Sequence, residues 1–214
     1  MKRLIIIMLA IMICMPSAFA RKKKEKSGKI KDNIYTDSKY EFKMTLLENW
    51  SAKLQKPDAD FRIIMSQNEH EIPPALMPYP HKAMVPEVKI YITESEFGPL
   101  VFIDSLVSNT YKSDAKKDIL SEIVFIEEGV DYDGLFPDVR KGMKINEKQG
   151  GRWEGHADYT VKQGLTETTK RSYGTGILTV KKDDMMLVFQ LSCERRFFPK
   201  VFKEVVTMVE SLEW

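Results

Sequence analysis

The sequence contains little cysteine and little histidine. Two cysteines and three histidines occur among 214 residues, and Cys14 falls in an N-terminal stretch that we expect to be removed. Cys193 would then be the single thiol, so an intramolecular disulfide is excluded and stability must come from an apolar core. Three histidines leave few candidates for a zinc site or a histidine-based catalytic triad. We predict no catalytic residue, no metal ligand and no cofactor.

The sequence also lacks an apolar run long enough to span a bilayer. Its longest run, residues 4–15, would extend about 18 Å as a helix, whereas a span must cross about 30 Å of hydrocarbon. Two basic residues precede the run, and Ala18 and Ala20 follow it with the spacing that signal peptidase requires. We therefore predict that residues 1–20 are a cleaved signal peptide and that the protein is exported, to the periplasm or beyond. The alternative is an uncleaved anchor.

An excess of charge of either sign is missing as well. The chain has 33 Lys and Arg against 31 Asp and Glu, and two of the basic residues belong to the predicted signal peptide. Residues 21–33 carry seven basic residues against two acidic ones, and we interpret them as a flexible tail capable of weak contact with a membrane surface. The chain after residue 33 has more acidic than basic residues, which disfavours binding to nucleic acid.

The remaining residues, 34–214, fit a single domain that begins with strands. Apolar and polar residues alternate from Tyr40 to Leu46, which is typical of a strand with one buried face. Further strands are predicted at residues 61–66, 87–93 and 122–126. A strand buried on one face favours an antiparallel sheet.

Two hairpins and two helices complete the predicted domain. The first hairpin runs over residues 143–161 and turns at Gly150-Gly151, and the second runs over residues 172–193 and turns at Asp183-Asp184. Pro99 and Pro199 each suit the first turn of a helix with one apolar stripe. The predicted fold class is therefore α+β, an antiparallel sheet flanked by helices.

Both ends of the predicted domain resemble those of PsbP-like and Mog-type domains. The opening combines Tyr35, Asp37, Tyr40 and Phe42 with a tryptophan shortly afterwards, and the closing helix leads into Ser-Leu-Glu-Trp at the C-terminus. The proline that these domains have before the tryptophan is missing here. The resemblance implies an α/β/α sandwich of an exported bacterial type. It implies no chemistry, since the better-understood members are accessory proteins that act by binding other proteins.

Three further features bear on chemistry. His156 shares a strand face with Glu154 and Asp158, a spacing compatible with a metal or a general base, but we predict that this face is solvated. Cys193 falls on the apolar face of its strand, which favours a buried and inert thiol. Residues 127–134 carry four carboxylates, and we interpret them as an acidic surface turn, with a weak calcium site as the alternative.

Residues 67–86 hold five of the ten prolines and therefore cannot form a regular helix or a central strand. Long segments of this kind in compact domains are usually functional. The segment is also apolar, so it either folds back over the core as a flap or presents an adaptable surface to a partner. We predict that it binds a partner through Ile72, Leu76, Met77, Tyr79, Met84 and Val85.

Three functions remain open on the sequence alone. The first is a non-enzymatic interaction protein of the cell envelope, or a secreted one, that binds an unidentified protein through residues 67–86. The second is a carrier for a small molecule or a lipid, held in an apolar pocket between helix and sheet. The third is a metal- or thiol-dependent hydrolase that uses His156 or Cys193. The oligomeric state is left open.

Overall fold

The computed structural model describes residues 28–57, 59–70, 85–108, 110, 113–123, 130–163 and 167–214. The predicted signal peptide lies outside them. In these ranges none of the helices has both the length and the apolar character that crossing a membrane requires.

A small antiparallel sheet begins the described chain. It consists of β1 (Lys29–Lys31), β2 (Ile34–Asp37) and β3 (Phe42–Thr45). Strand β1 lies within the segment predicted as a basic tail, and it pairs with β2 across a tight turn. Asp32 and Asn33 form this turn with φ values of 52° and 58°, the left-handed backbone that favours a short hairpin connection.

A seven-stranded antiparallel sheet forms the centre of the fold. Its strands follow the order β4-β5-β6-β10-β9-β8-β7, so β4 and β7 are the outer strands. The bounds are β4 (Trp50–Leu54), β5 (Ile63–Gln67), β6 (Glu87–Glu94), β7 (Val130–Ile145), β8 (Lys148–Gln163), β9 (Glu167–Lys182) and β10 (Met185–Glu194). Three helices accompany it: α1 (Pro99–Val107), α2 (Asp114–Ile123) and α3 (Phe198–Glu210).

Both faces of the large sheet are buried at its centre. Along β10, Met186 and Val188 join a core cluster with α1 and α2, whereas Leu187 and Phe189 join a second cluster with α3 and the small sheet. Alternate residues of a strand point to opposite faces, so the helices lie on both sides of the sheet. The predicted α+β fold, an antiparallel sheet flanked by helices in an α/β/α sandwich, is confirmed.

The aromatic and acidic residues at the start of the domain have a structural role. Asp37 is fully buried and accepts hydrogen bonds from the Tyr35 hydroxyl at 2.9 Å, from Arg62 Nε at 2.9 Å, and from the backbone amides of Lys39 and Tyr40. A buried carboxylate is tolerated only when it is paired and hydrogen-bonded. The motif therefore joins the small sheet to the large one.

The first predicted hairpin turns at a different place. Strand β7 ends at Ile145, and Asn146 and Glu147 make the turn with φ values of 46° and 65°. The glycine pair lies inside β8 instead. A Cβ on Gly151 would stand 2.8 Å from Thr179 Oγ1 and 2.9 Å from Ile103 Cδ1. The glycine is therefore required for the close approach of α1 and not for a turn.

Two other sequence predictions are corrected by the structure. Residues 122–126 are predicted as a strand, but α2 continues to Ile123, and residues 124–126 lie outside the described part of the chain. Residues 127–134 are predicted as an acidic turn, but residues 130–134 belong to β7. A short apolar run does not by itself distinguish a strand from a helix. The second hairpin is confirmed, with Asp183 at φ 52° between β9 and β10.

Helix α3 packs on two glycines of β9. A Cβ on Gly176 would lie 2.2 Å from the ring of Phe202, and one on Gly174 would lie 2.4 Å from the ring of Phe198. The two rings stack on each other at 5.1 Å. The two glycines of β9 therefore let α3 approach the sheet closely. Helix α3 in turn forms one wall of the site described next.

Candidate binding site at the start of the proline-rich segment

The structure describes the two ends of the proline-rich segment. Among the residues predicted to bind a partner, Val85 is described, and 37% of its surface is exposed. The other five, Ile72, Leu76, Met77, Tyr79 and Met84, lie outside the described residues. The start of the segment, Gln67 to His70, is described and contributes to a cavity.

This cavity lies between the end of β5 and the first turns of α3, and its volume is about 310 Å³. Phe197 and Val201 provide apolar surface, and the remaining lining residues are polar or charged. We call it the His70 cavity; it is lined by Asn49, Gln67, Glu69, His70, Phe197, Lys200 and Val201.

Glu204 on α3 holds the polar groups around the cavity in place. One of its oxygens, Oε2, accepts hydrogen bonds from Trp50 Nε1 at 2.9 Å, Gln67 Nε2 at 2.9 Å and Asn49 Nδ2 at 3.2 Å. Burial raises the pKa of Glu204, but the three hydrogen bonds together with the Lys200 charge outweigh it, so the pKa lies below its usual value. Glu204 is therefore a carboxylate at neutral pH and joins α3 to β4 and β5.

The orientation of Gln67 determines which nitrogen of His70 carries a proton. Because the Gln67 amide nitrogen donates to Glu204, its oxygen Oε1 is left as an acceptor, and His70 Nδ1 lies 3.0 Å from it. Nδ1 must then carry the hydrogen, and in the neutral ring Nε2 keeps a free lone pair. The imidazole also packs edge-on against Phe197, with ring centroids 4.8 Å apart.

Among the described residues, the second nitrogen of His70 has no hydrogen-bond partner. Nε2 is buried and unpaired, as the described residues show, although a buried polar atom normally has at least one partner. Burial lowers the pKa of His70, and the neighbouring Lys200 charge lowers it further. The ring is therefore neutral at neutral pH. The cavity thus combines a hydrogen-bond acceptor at His70 with a cation at Lys200.

His156 has surroundings different from those predicted. Its Nδ1 lies 3.0 Å from Asp138 Oδ2, and only 13% of the side chain is exposed. The strand face predicted to be solvated is covered on the α3 side, where the Arg152 guanidinium lies 5.0 Å from the ring of Phe202 and Glu154 is 14% exposed. Within the described ranges, no three His, Cys, Asp or Glu residues are arranged to hold a metal ion.

Cys193 is buried, as its strand pattern predicts. Burial raises the pKa of its thiol, and the adjacent Glu194 charge raises it further. The thiolate is the reactive form of cysteine, and it is strongly disfavoured here. Cys193 is therefore a core residue.

The His70 cavity could not be predicted from the sequence, because its parts are distant along the chain. Glu204 lies 137 residues from Gln67 and 154 residues from Trp50, and only the packing of α3 on the sheet brings them together. One local signal was available. Gln67, the last residue of β5, and His70, three residues later, are polar residues at the point where the proline-rich segment begins.

Comparison with known proteins gives matches among solved structures. No protein-family model and no curated protein matches the sequence. The solution structure of PsbP from the cyanobacterium Synechocystis sp. PCC 6803 is similar to this chain at 10% identity and a TM-score of 0.46, over 84% of this chain and 90% of that one. A PsbP is thus among the similar structures, as the resemblance predicts.

Two further structures are similar. The crystal structure of LpqN of Mycobacterium tuberculosis, described as involved in cell envelope biogenesis, has 8% identity and a TM-score of 0.43, over 80% of this chain and 82% of that one. A crystallised protein of Bacteroides thetaiotaomicron has 9% identity and a TM-score of 0.36, over 80% of this chain and 44% of that one. At these identities a likeness concerns the fold alone.

Proposed function

We propose that this chain is a non-enzymatic binding protein, exported to the cell envelope or secreted, that recognises a protein partner at the His70 cavity. One observation carries the proposal: a buried imidazole nitrogen that has no hydrogen-bond partner in the described part of the chain lies in a cavity that also contains a lysine. An unpaired buried acceptor costs free energy that a bound donor recovers. The proposed export is inferred from the signal peptide predicted in residues 1–20.

Binding fits the cavity better than catalysis does. Its described lining contains no serine, threonine or cysteine that could serve as a nucleophile. The two candidates for a hydrolase do not supply one, because Cys193 is buried in the core and His156 is bonded to Asp138 away from this cavity. Glu204 Oε2 accepts from three donors, which makes this side chain a support for the site.

The chemistry of the recognised group follows from the lining. His70 Nε2 accepts a hydrogen bond, Lys200 pairs with an anion, and Phe197 and Val201 contact apolar surface. A partner side chain or chain end that combines an N–H or O–H donor with a nearby carboxylate satisfies all three. In this proposal the predicted binding residues from Ile72 to Val85 extend the contact beyond the cavity.

Site-specific photocrosslinking tests the proposal. A photoreactive phenylalanine replaces Glu69, an exposed residue of the lining, and in a matched control it replaces Glu210, which is exposed in the last turn of α3. The protein is exposed to native envelope extract and irradiated. We expect a protein adduct from position 69 and none from position 210. The adduct should disappear when Lys200→Glu or His70→Ala is added.

Two results would contradict the proposal. An adduct that persists in both second-site variants would place the contact outside the cavity. If no adduct forms and native mass spectrometry detects a small molecule that Lys200→Glu releases, the carrier function replaces the binding of a protein partner. Circular dichroism of each variant shows whether it is folded.

A further inference from the structure

A second surface lies at the opposite edge of the large sheet. Strand β7 is the outermost strand, and no other strand in the described part of the chain pairs with its free edge. Its register against β8 is interrupted between Tyr132 and Gly134 and again between Pro137 and Val139, and is regular from Val139 to Ile145. Prolines and bulges protect sheet edges against pairing. Only the part from Val139 to Ile145 has the regular backbone that another strand could follow.

A groove runs beside this regular edge. Gly142 on β7 pairs with Gly151 on β8, so two adjacent strands lack side chains at the point where α1 begins. The resulting groove has a volume of about 640 Å³ and is lined by Gly98, Pro99, Leu100, Val101, Gly142, Met143, Lys144, Gln149 and Gly150. Val101 and the nearby Phe97 are 54% and 45% exposed. An apolar side chain has room here.

The charge of the edge indicates what kind of segment it accepts. Residues 139–145 contain three cations, Arg140, Lys141 and Lys144, and no anion. Arg140 is paired with Asp104 of α1, which leaves Lys141 and Lys144 exposed on opposite faces of the strand. A second copy of this strand would bring the same charges together, whereas an acidic segment would neutralise them.

We propose that the edge from Val139 to Ile145 binds an extended, acidic segment of a protein partner as an additional strand. Main-chain hydrogen bonds to β7 supply affinity. An apolar side chain of the segment enters the groove over Gly142, and carboxylates pair with Lys141 and Lys144. Edge pairing of this kind combines backbone hydrogen bonds with pockets for alternate side chains. This surface is independent of the His70 cavity.

The groove can be filled without disturbing the fold. A Cβ on Gly142 would meet only Leu100 Cδ1, at the ordinary contact distance of 3.8 Å. Gly142→Trp should therefore fold and occupy the groove, and Gly142→Ala is the matched control. Lys141→Glu combined with Lys144→Glu reverses the charge of the edge and leaves the groove open, so it tests the proposal even if the tryptophan variant does not fold.

The experiment selects peptides from a random library displayed on phage, with the full protein as bait, binding at low salt and elution at high salt. We expect enriched sequences in which an apolar residue has an acidic residue directly beside it on one side and another acidic residue two positions away on the other, matching Lys141, Gly142 and Lys144. Gly142→Trp and the double glutamate variant should each weaken their binding at least about tenfold, and Gly142→Ala by less than about threefold. Chemical shift changes in the amides of residues 139–145 should accompany binding.

Three results would overturn the proposal. The first is a selection that enriches nothing above unrelated sequences. The second is a set of enriched peptides that bind the tryptophan and double glutamate variants as well as the parent protein. The third is binding of oleate in the groove, abolished by Gly142→Trp, without binding of any peptide, because the occupant would then be a lipid chain.

Discussion

Removal of the Glu204 carboxylate should destabilise the fold through three contacts at once. In Glu204→Ala, the Trp50 indole N–H and the Gln67 amide lose a charged acceptor at 2.9 Å, and both bonds are partly buried. Hydrogen bonds to charged groups contribute about 1.5–3 kcal/mol each, and partial access to water reduces that contribution. The bond from Asn49 is exposed and adds little. We expect a loss of about 2–4 kcal/mol in the free energy of unfolding.

Glu204→Gln removes the negative charge of the side chain but keeps its size and shape. The amide keeps one oxygen acceptor but loses the negative charge, so we expect a loss of about 1–2 kcal/mol at neutral pH. The pKa of Glu204 is lowered in the folded protein. Its contribution is therefore fully present above the unfolded pKa of about 4.3 and is lost as the pH falls through the lower folded value. The difference in the free energy of unfolding between Glu204→Gln and the parent protein should become smaller in that acidic range.

Urea denaturation followed by circular dichroism measures these differences. Glu210→Ala is the control, because Glu210 is an exposed glutamate on the same helix, and its replacement should change stability by less than about 0.5 kcal/mol. The reasoning is refuted if Glu204→Ala unfolds at the same urea concentration as the Glu210 control.

Three further predictions concern other parts of the fold. Asp37→Ala should destabilise the protein by about 3–5 kcal/mol in urea denaturation because it removes the buried carboxylate that pairs with Arg62 at 2.9 Å; an unchanged midpoint would contradict this. Gly176→Ala should lower the free energy of unfolding by about 1–3 kcal/mol, because its Cβ would overlap with the Phe202 ring. A variant with the same urea midpoint as the parent protein would disprove the close packing. His70 has a lowered pKa, so the unfolded chain takes up its proton first as the pH falls below about 6.5. His70→Gln should therefore reduce the loss of stability between neutral and mildly acidic pH, and an unaltered pH dependence would count against a buried, neutral ring.

The parts of the fold that could be predicted from the sequence are those set by local periodicity. The second hairpin, the helices that begin at Pro99 and Phe198, and the burial of Cys193 all follow from the alternation or helical spacing of apolar residues. Helix α2 (Asp114–Ile123) was missed, and its last two residues were predicted as the start of a strand because a short apolar run does not distinguish the two. The glycine pair at 150–151 was misread as a turn because Gly151 is needed for the close approach of α1, which is a tertiary contact.

The candidate site is less predictable for the same reason. The proline-rich segment is conspicuous in the sequence, but the His70 cavity beside it depends on Glu204, which is far away along the chain. The tautomer of His70 follows from a chain of two hydrogen bonds through Gln67. A pattern of apolar residues contains no information about these linked hydrogen bonds. The groove beside β7 likewise depends on two glycines that meet only after β7 and β8 pair.

The open acceptor of His70 is the central claim, and nitrogen NMR of the histidine side chains tests it most directly. With the protein labelled with ¹⁵N at neutral pH, we predict that His70 Nδ1 carries the proton and that Nε2 has the shift of an unprotonated, lone-pair nitrogen. In Gln67→Ala, which removes the acceptor for Nδ1, this tautomer should no longer dominate. A proton on His70 Nε2, or a doubly protonated ring at neutral pH, would contradict the account, because the cavity would then offer a donor where the proposed partner needs an acceptor.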